Sequence, residues 1–414
     1  RIPVSTIKML DNLKNKLKDD IYKNSIFLMM SVIVMTGFGF FFWTIAARLF
    51  STNEIGLATT IISAFSLINS IAGFGLGTAL IRFLPGSNVK NRKINSAFSA
   101  SIFASILVTI IFLLGINYFS PKLLFIKENI YYSIIFIFGV IIAILFNLVD
   151  SVFIAYKSAK YVLIKDFVYS SLKLVLIFLF SSLMAFGIFV SWITAFLIAF
   201  IFGLIILITK FSYKPRFVIY DPIIKKIFSF SIGNHLANLI KTLPSSIIPL
   251  LITNILSPSN TAYYYVAFNI AGLLFMIPNT VASSLFAKVS GDEKELGKAM
   301  KKSIAFILLL LIPGILVFLF FDKYLLLLFG KEYSNNAVIV LNLLTLSSLF
   351  AAMSSLYLTY LNIKKKIKRL VFVNLVICLA TILFVYLLMP YGLKGIGLGY
   401  LLGQAMILLF VWFK

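Results

Sequence analysis

A lysine stands inside a hydrophobic stretch at position 241, in the run Asn234-His235-Leu236-Ala237-Asn238-Leu239-Ile240-Lys241-Thr242-Leu243-Pro244-Ser245-Ser246. Asn234, Asn238, Lys241 and Ser245 recur every three to four residues, so a helix gathers them on one polar stripe. An ionised side chain at the centre of a membrane helix costs about 2.5–3.5 kcal/mol on insertion scales and therefore faces a cavity or a partner. An ammonium flanked by amides suits an anionic group such as a phosphate. The competing reading is a lysine paired with a polar neighbour inside a helix bundle. Pro244 and Pro249 each remove a backbone donor, which predicts a kinked or partly unwound helix around this stripe.

The other ionisable residues within apolar stretches are few. His235 is the only histidine, a candidate for proton coupling or for a hydrogen-bonded packing role. Arg48 ends the first stretch and Arg82 the second, where a long side chain can snorkel to an interface. Lys173 lies within the fifth stretch and Asp150 toward the end of the fourth; they pair with each other, or Lys173 adds to a cationic lumen and Asp150 serves coupling. Asp166 reads as the start of the fifth stretch, outside its interior. Cys378 is the single cysteine, so no disulfide within one chain is available, and its apolar surroundings point to packing. Neither a metal nor a cofactor is expected. Gly73-Phe74-Gly75-Leu76-Gly77 has the spacing of a nucleotide loop but lies in an apolar stretch with no strand before it; its small residues predict close helix approach or bending.

These side chains are carried by long apolar runs. Of the 414 residues, 61% are hydrophobic and the mean hydropathy is +1.06, which leaves no room for a sizeable soluble domain. About 20 apolar residues span a hydrocarbon core as a helix, because every backbone hydrogen bond is then internal. The runs predict about twelve transmembrane helices, at roughly 25–49, 54–82, 95–118, 130–155, 162–183, 184–209, 227–256, 261–287, 303–321, 335–361, 370–389 and 393–413. Most of the 37 Lys and Arg fall in every second gap, beginning with the tail before residue 25, counting Lys157, Lys160 and Lys165 as one basic loop, and continuing to Lys364, Lys365, Lys366, Lys368 and Arg369. This is the positive-inside pattern and predicts a multi-pass protein of the cell membrane with both termini cytoplasmic. The net charge of +24 is thus explained by topology and by anionic membrane lipids, and no nucleic-acid partner is expected. The first run is too long for the h-region of a cleavable signal, and a chain opening on Arg1 is expected to lack part of its native N-terminus.

The chain also repeats. Asp150–Lys160 aligns without gaps on Ser354–Lys364, and Gly187-Ile188 recurs as Gly395-Ile396. Leu49-Phe50-Ser51-Thr52-Asn53 has a weaker echo in Ile255-Leu256-Ser257-Pro258-Ser259. Six helices is an even number, so the two copies share one orientation, as in transporters whose lobes enclose a midplane cavity. The predicted parts are a basic amphipathic tail at 1–24, a six-helix lobe at 25–210 and a second at 211–414.

The run Ala46-Ala47-Arg48-Leu49-Phe50-Ser51-Thr52-Asn53-Glu54-Ile55-Gly56-Leu57, with Gly75-Leu76-Gly77-Thr78-Ala79-Leu80-Ile81-Arg82, resembles the opening of Wzx-type polysaccharide and lipid-linked oligosaccharide flippases. These belong to the multidrug/oligosaccharidyl-lipid/polysaccharide (MOP) exporter superfamily. The resemblance extends over the whole chain in helix count and duplication, and is most specific in the first two helices. It implies a MATE-like pair of lobes, working as a monomer, that turns a polyprenyl-(pyro)phosphate-linked oligosaccharide from the inner to the outer leaflet by alternating access. Glycan-assembly proteins are the implied partners. Cavities in the family are often cationic, which implies Arg48, Lys173 and Lys241 as headgroup ligands, joined here by Asn234 and Asn238. A multidrug antiporter of the related MATE branch would need carboxylates in its lumen, where this chain has cations. A membrane glycosyltransferase or ligase is disfavoured by loops too short to hold an active site. Sugar composition, lipid carrier and coupling ion are not written in the residues.

Overall fold

The computed structural model describes residues 20–218, 222–289 and 295–412; the predicted tail at 1–24 therefore lies largely outside the described residues. Among them all regular structure is helical. The helices include α1 (Asp20–Leu49), α2 (Thr52–Ala72), α3 (Leu76–Phe83), α4 (Lys90–Leu114), α5 (Ile130–Ala155), α6 (Lys160–Leu179) and α7 (Met184–Phe211), with two short unnumbered helices, Ile116–Phe119 and Leu124–Glu128, between α4 and α5. They continue with α8 (Pro222–Ile255), α9 (Pro258–Val289), α10 (Leu296–Phe320), α11 (Asp322–Leu327), α12 (Lys331–Asn336) and α13 (Val338–Ile363). The chain closes with α14 (Ile367–Leu388), α15 (Gly392–Ala405) and α16 (Leu408–Trp412).

Ten stretches of the described residues are long and apolar enough to cross a membrane, one of them the 45-residue segment Ile367–Val411 that holds the last two predicted spans. The chain is a multi-pass membrane protein. Helix α6 is not among the ten, because Lys165, Asp166 and Lys173 fall within its apolar stretch.

The helices pack as two compact units. One takes in the described part of Arg1–Phe42, with Ile68–Leu114 and Ile126–His235; the other takes in Trp43–Leu67, Gly115–Phe125 and the described part of Leu236–Lys414. In the first, α5 packs against α3, α4 and α7, and α6 against α7. Its core joins Leu80, Ile94, Val149, Val152, Phe153 and Leu207. In the second, α13 packs on α9 and α15 on α14. The segment after α7 is strapped to α4 by one amide. Asn95 Oδ1 accepts from the Tyr213 hydroxyl at 2.5 Å and from the Arg216 N–H at 3.1 Å, while Asn95 Nδ2 donates to the Lys214 carbonyl at 3.0 Å. Burial pushes the Tyr213 phenol up to about 12, so it remains a neutral donor at physiological pH.

The second predicted helix is broken. Phe74 and Gly75 adopt left-handed backbone, with φ of 44° and 71°, between α2 and α3. Left-handed backbone at a bulky residue such as phenylalanine is strained. Prolines act more gently: α8 is unbroken through Pro244 and Pro249, and α9 through Pro278. Of the two expected outcomes, kinking or partial unwinding, α8 shows no unwinding, because each proline removes one donor and leaves the flanking turns hydrogen-bonded.

Local geometry recurs at a spacing of 208 residues. The turn after α5 takes left-handed backbone at Lys157, with φ 53°, and the turn after α13 at Lys365, with φ 54°. In each case the next N–H reaches back five residues, Ser158 to the Phe153 carbonyl and Lys366 to the Leu361 carbonyl, which closes the helix end. Met184 and Gly392 repeat the pattern with φ of 53° and 65°. Gly187 lies so close to the Phe180 carbonyl, and Gly395 to the Leu388 carbonyl, that a Cβ at either would collide with backbone. The gapless alignment of Asp150–Lys160 on Ser354–Lys364 is thus one helical turn short of the structural register, since Lys157 corresponds to Lys365 and not to Leu361. Gly187→Ala and Gly395→Ala should each destabilise the protein by about 1–3 kcal/mol, the usual cost of overpacking. A lowered melting temperature in detergent checks this, and wild-type stability for both would contradict the shared register.

Candidate functional site

In the second unit the stripe on α8 faces outward from the packing. Asn238, Lys241, Thr242 and Ser245 are all exposed, although Leu250, Ile248 and Ser246 on the same helix are buried. The Thr242 hydroxyl donates to the Asn238 and Leu239 carbonyls, and Ser245 to the Thr242 carbonyl, so their donors are held within the helix. Lys241 Nζ lies 3.4 Å from Oδ1 of Asn279 on α9. Ser355 on α13 donates to the same oxygen at 3.3 Å and to the Pro278 carbonyl at 3.4 Å. Asn279 Nδ2 is tied to the Phe275 carbonyl at 2.9 Å, which fixes the amide with its oxygen toward the lysine. Asn279 and Ser283 on α9 are exposed too.

The sequences of the spans His235–Ile255, Pro258–Phe286 and Val338–Ile363 contain no Asp or Glu. Lys241 thus brings a positive charge to membrane depth with neutral hydrogen-bonding company. An ammonium in that setting keeps its charge by holding water or an anion. Asn279 and Ser355 are functional candidates that sequence reasoning missed. Nothing in the sequence of either helix ties them to Lys241, and only the packing of α9 and α13 brings them to the lysine. The side chain of Asn234 lies outside the described residues.

The first unit treats its cations differently. Lys165 is fully buried, with Nζ 3.0 Å from Asp150 Oδ2 and 3.0 Å from Asp166 Oδ1. Asp166, 3% exposed, also accepts from the Ser31 hydroxyl of α1. The lysine stem passes close to Gly203 of α7, where a Cβ would stand 3.2 Å from Lys165 Cδ. This corrects two readings. Lys165 belongs to the bundle interior and not to a basic loop, and Asp166 is an interior carboxylate. Helix α6 begins at Lys160, after Asn24 Oδ1 accepts from the Ala159 N–H at 2.8 Å, so residues 165 and 166 fall in its second turn. Asp150 pairs with Lys165 and not with Lys173, which lies two turns further along α6, about 12 Å at 1.5 Å per residue.

Lys173 sits in an aromatic cage. Its Nζ lies 4.9, 5.1 and 4.8 Å from the ring centroids of Phe42, Tyr169 and Trp192, and the residue is 4% exposed. Cation–π attraction of this kind is worth about 2 kcal/mol or more when desolvated. Arg48 is exposed and its guanidinium donates to the Leu328 carbonyl at 3.0 Å and the Leu327 carbonyl at 3.3 Å, capping the C-terminal end of α11. Arg82 lies over the adjacent Phe83 ring. His235 rests its ring 6.3 Å from that of Phe74 and hydrogen-bonds the Ile71 backbone, beside the break between α2 and α3. Of the predicted ligands, then, Lys241 and Asn238 share one exposed face; Arg48 caps a helix in the same unit; Lys173 is enclosed in the other, where Asp150 is half-buried. Among the described residues no three His, Cys, Asp or Glu side chains converge as a metal site.

Removing one member of the buried cluster leaves an uncompensated charge, which costs about 3–5 kcal/mol. Lys165→Met should therefore lower the melting temperature markedly, and adding Asp150→Leu should recover part of the loss. A thermal double-mutant cycle measures both, and Lys165→Met at wild-type stability would contradict the pairing.

A family model described as polysaccharide biosynthesis protein matches residues 45–337. A putative O-antigen transporter of Shigella flexneri is 23% identical over 181 residues, covering 42% of this chain and 43% of that protein. The match thus spans less than half the length of that relative. Among solved structures, a lipid II flippase, MurJ, in an inward closed conformation superposes with a TM-score of 0.77 at 14% identity, over 94% of this chain and 87% of that one. An inward-facing multidrug resistance MATE family transporter of the MOP superfamily superposes with a TM-score of 0.65 at 16% identity, over 94% and 97%. The fold is MATE-like.

Proposed function

We infer the activity from the premise that the chain belongs to the polysaccharide biosynthesis protein family, as a Wzx-type member of the MOP exporter superfamily. It is a transporter, and it moves a polyprenyl-(pyro)phosphate-linked oligosaccharide from the inner to the outer leaflet of the cell membrane. The observation that carries this reading is the uncompensated cation of Lys241 on an exposed polar face at membrane depth. An ammonium backed by Asn279 and Ser355 offsets the desolvation of a phosphate, while Asn238 offers hydrogen bonds to the attached sugar and Ser283, whose hydroxyl donates to the Asn279 carbonyl at 2.9 Å, offers its oxygen as an acceptor. The isoprenoid tail needs no site of its own, because it stays in lipid.

The transport cycle follows from the proposed duplication. Lobes at 25–210 and 211–414 alternate in exposing the site to either face, with both termini in the cytoplasm, and no ATP-binding motif is present to drive them. Coupling to an ion gradient is assigned to Asp150, whose Oδ1 is buried without a hydrogen-bond partner while Oδ2 holds Lys165. His235, against the strained break at Phe74, is the second coupling group. Lys173 and Arg48 support the site indirectly, one as a caged cation and the other as a helix cap. An antiporter for cationic drugs is disfavoured, since Asp150 and Asp166 are engaged with Lys165 and Ser31.

Deleting the gene and analysing lipid-linked oligosaccharides should show intact glycans accumulating on the inner leaflet. Altered glycan chemistry would instead point to an enzyme. Complementation with Lys241→Ala should reduce export at least tenfold with the protein still inserted, and Lys241→Arg should restore part of it. Full export by Lys241→Ala would remove that residue from the site.

A further inference from the structure

A second binding feature lies in the second unit, with none of Asn238, Lys241, Asn279 and Ser355 in its walls, and the transport reading does not use it. A groove of about 730 Å³ is lined by α10 and α13. Its walls are apolar along most of their length, from Leu296 and Gly297 at one end to Leu311 and Leu349 at the other. The first end also carries Tyr360 and Lys364. At Gly297 no atom stands within 4 Å of where a Cβ would be, so that end is open.

Length and charge identify an occupant. From Gly297 to Leu311 is about 21 Å at 1.5 Å per residue, and half of a hydrocarbon core is about 15 Å. A groove that starts at one interface therefore stops near the membrane midplane. Its mouth is basic: Lys298 and Lys301 on α10, and Lys365, Lys366 and Lys368 after α13, are all exposed. Glu295 is the one carboxylate within residues 295–302 and 360–369. Tyrosine and lysine at the rim of an apolar slot place polar tips at headgroup level and apolar stems below it.

We propose that this groove holds an acyl chain of an anionic phospholipid from the leaflet at the basic end, with Lys364 at its phosphate. The chain fills space between α10 and α13 that side chains leave empty. A polyprenyl tail of many isoprene units would have to fold back on itself to fit a slot one leaflet deep, so the occupant is a resident lipid and not the transported carrier. Basic residues near a membrane surface attract anionic lipid, and each added charge strengthens the attraction. Binding to the folded state alone then raises thermal stability with lipid concentration.

The test is a thermal-shift titration of the purified chain in detergent. Dioleoylphosphatidylglycerol should raise the melting temperature in a saturable way, and dioleoylphosphatidylcholine should need at least tenfold higher concentration for the same shift. Gly297→Phe plugs the open end and should lose the response while melting like wild type without lipid; Lys364→Gln should weaken it severalfold. If Gly297→Phe does not fold, native mass spectrometry of phosphatidylglycerol retained by wild type and by Lys364→Gln decides, with equal retention overturning the proposal. An undiminished response in Gly297→Phe, an equal response to phosphatidylcholine, or displacement of phosphatidylglycerol by an equimolar long-chain polyprenyl phosphate would each overturn it as well. None of these readouts requires export, so they stand or fall separately from the flippase reading.

Discussion

A charge inside a bilayer has to be answered, by an opposite charge, by a set of aligned dipoles and rings, or by something that enters from outside. The structure of this chain follows from how each of its interior cations is answered. Lys165 has two carboxylates at 3.0 Å, and Lys173 has three aromatic rings within about 5 Å. Both are enclosed and complete, and they knit α5, α6 and α7 to α1. Lys241 has one amide oxygen at 3.4 Å and no carboxylate in the spans around it. The same chemical group is structural in one unit and available in the other, and the difference lies in the neighbours.

Backbone geometry prepares that availability. Pro244 and Pro278 delete donors on α8 and α9 without breaking either helix, which frees the carbonyls of Ile240 and Leu274 four residues before them, while Ser355 reaches the carbonyl of Pro278 itself. The corresponding second helix of the first half takes a harsher route, with left-handed Phe74 and Gly75 and the only histidine beside the break. Both halves nevertheless follow their fourth helices with a left-handed lysine and close their fifth-to-sixth connections around a glycine with no space for a Cβ. Conserving those turns while diverging at the second helix is what an old duplication with separate duties in each half would leave behind.

Much of this was legible in the residues. Apolar runs located the helices, because in lipid a helix satisfies its backbone and the residues that allow it are few in kind. The stripe of Asn238, Lys241 and Ser245 was legible for the same reason that any helical periodicity is. What the chain does not display is partnership across helices. Lys165 reads as one more loop lysine until Asn24 starts α6 early and Gly203 opens space for its stem. Asp150 appears free to meet Lys173 until the register of α5 on α6 puts Lys165 in between. Asn279 and Ser355 are unremarkable polar residues until packing aims both at one ammonium. Asn234, placed on the stripe by periodicity, has no described side chain to compare.

The decisive quantity is the affinity of the purified protein for a short-chain polyprenyl-pyrophosphate oligosaccharide, compared between wild type, Lys241→Gln and Lys173→Gln. If Lys241 is the open cation, binding falls at least tenfold in Lys241→Gln, inorganic pyrophosphate competes in wild type, and correctly folded Lys173→Gln binds nearly as wild type does. Equal affinity in wild type and Lys241→Gln would contradict the assignment of that charge to the substrate.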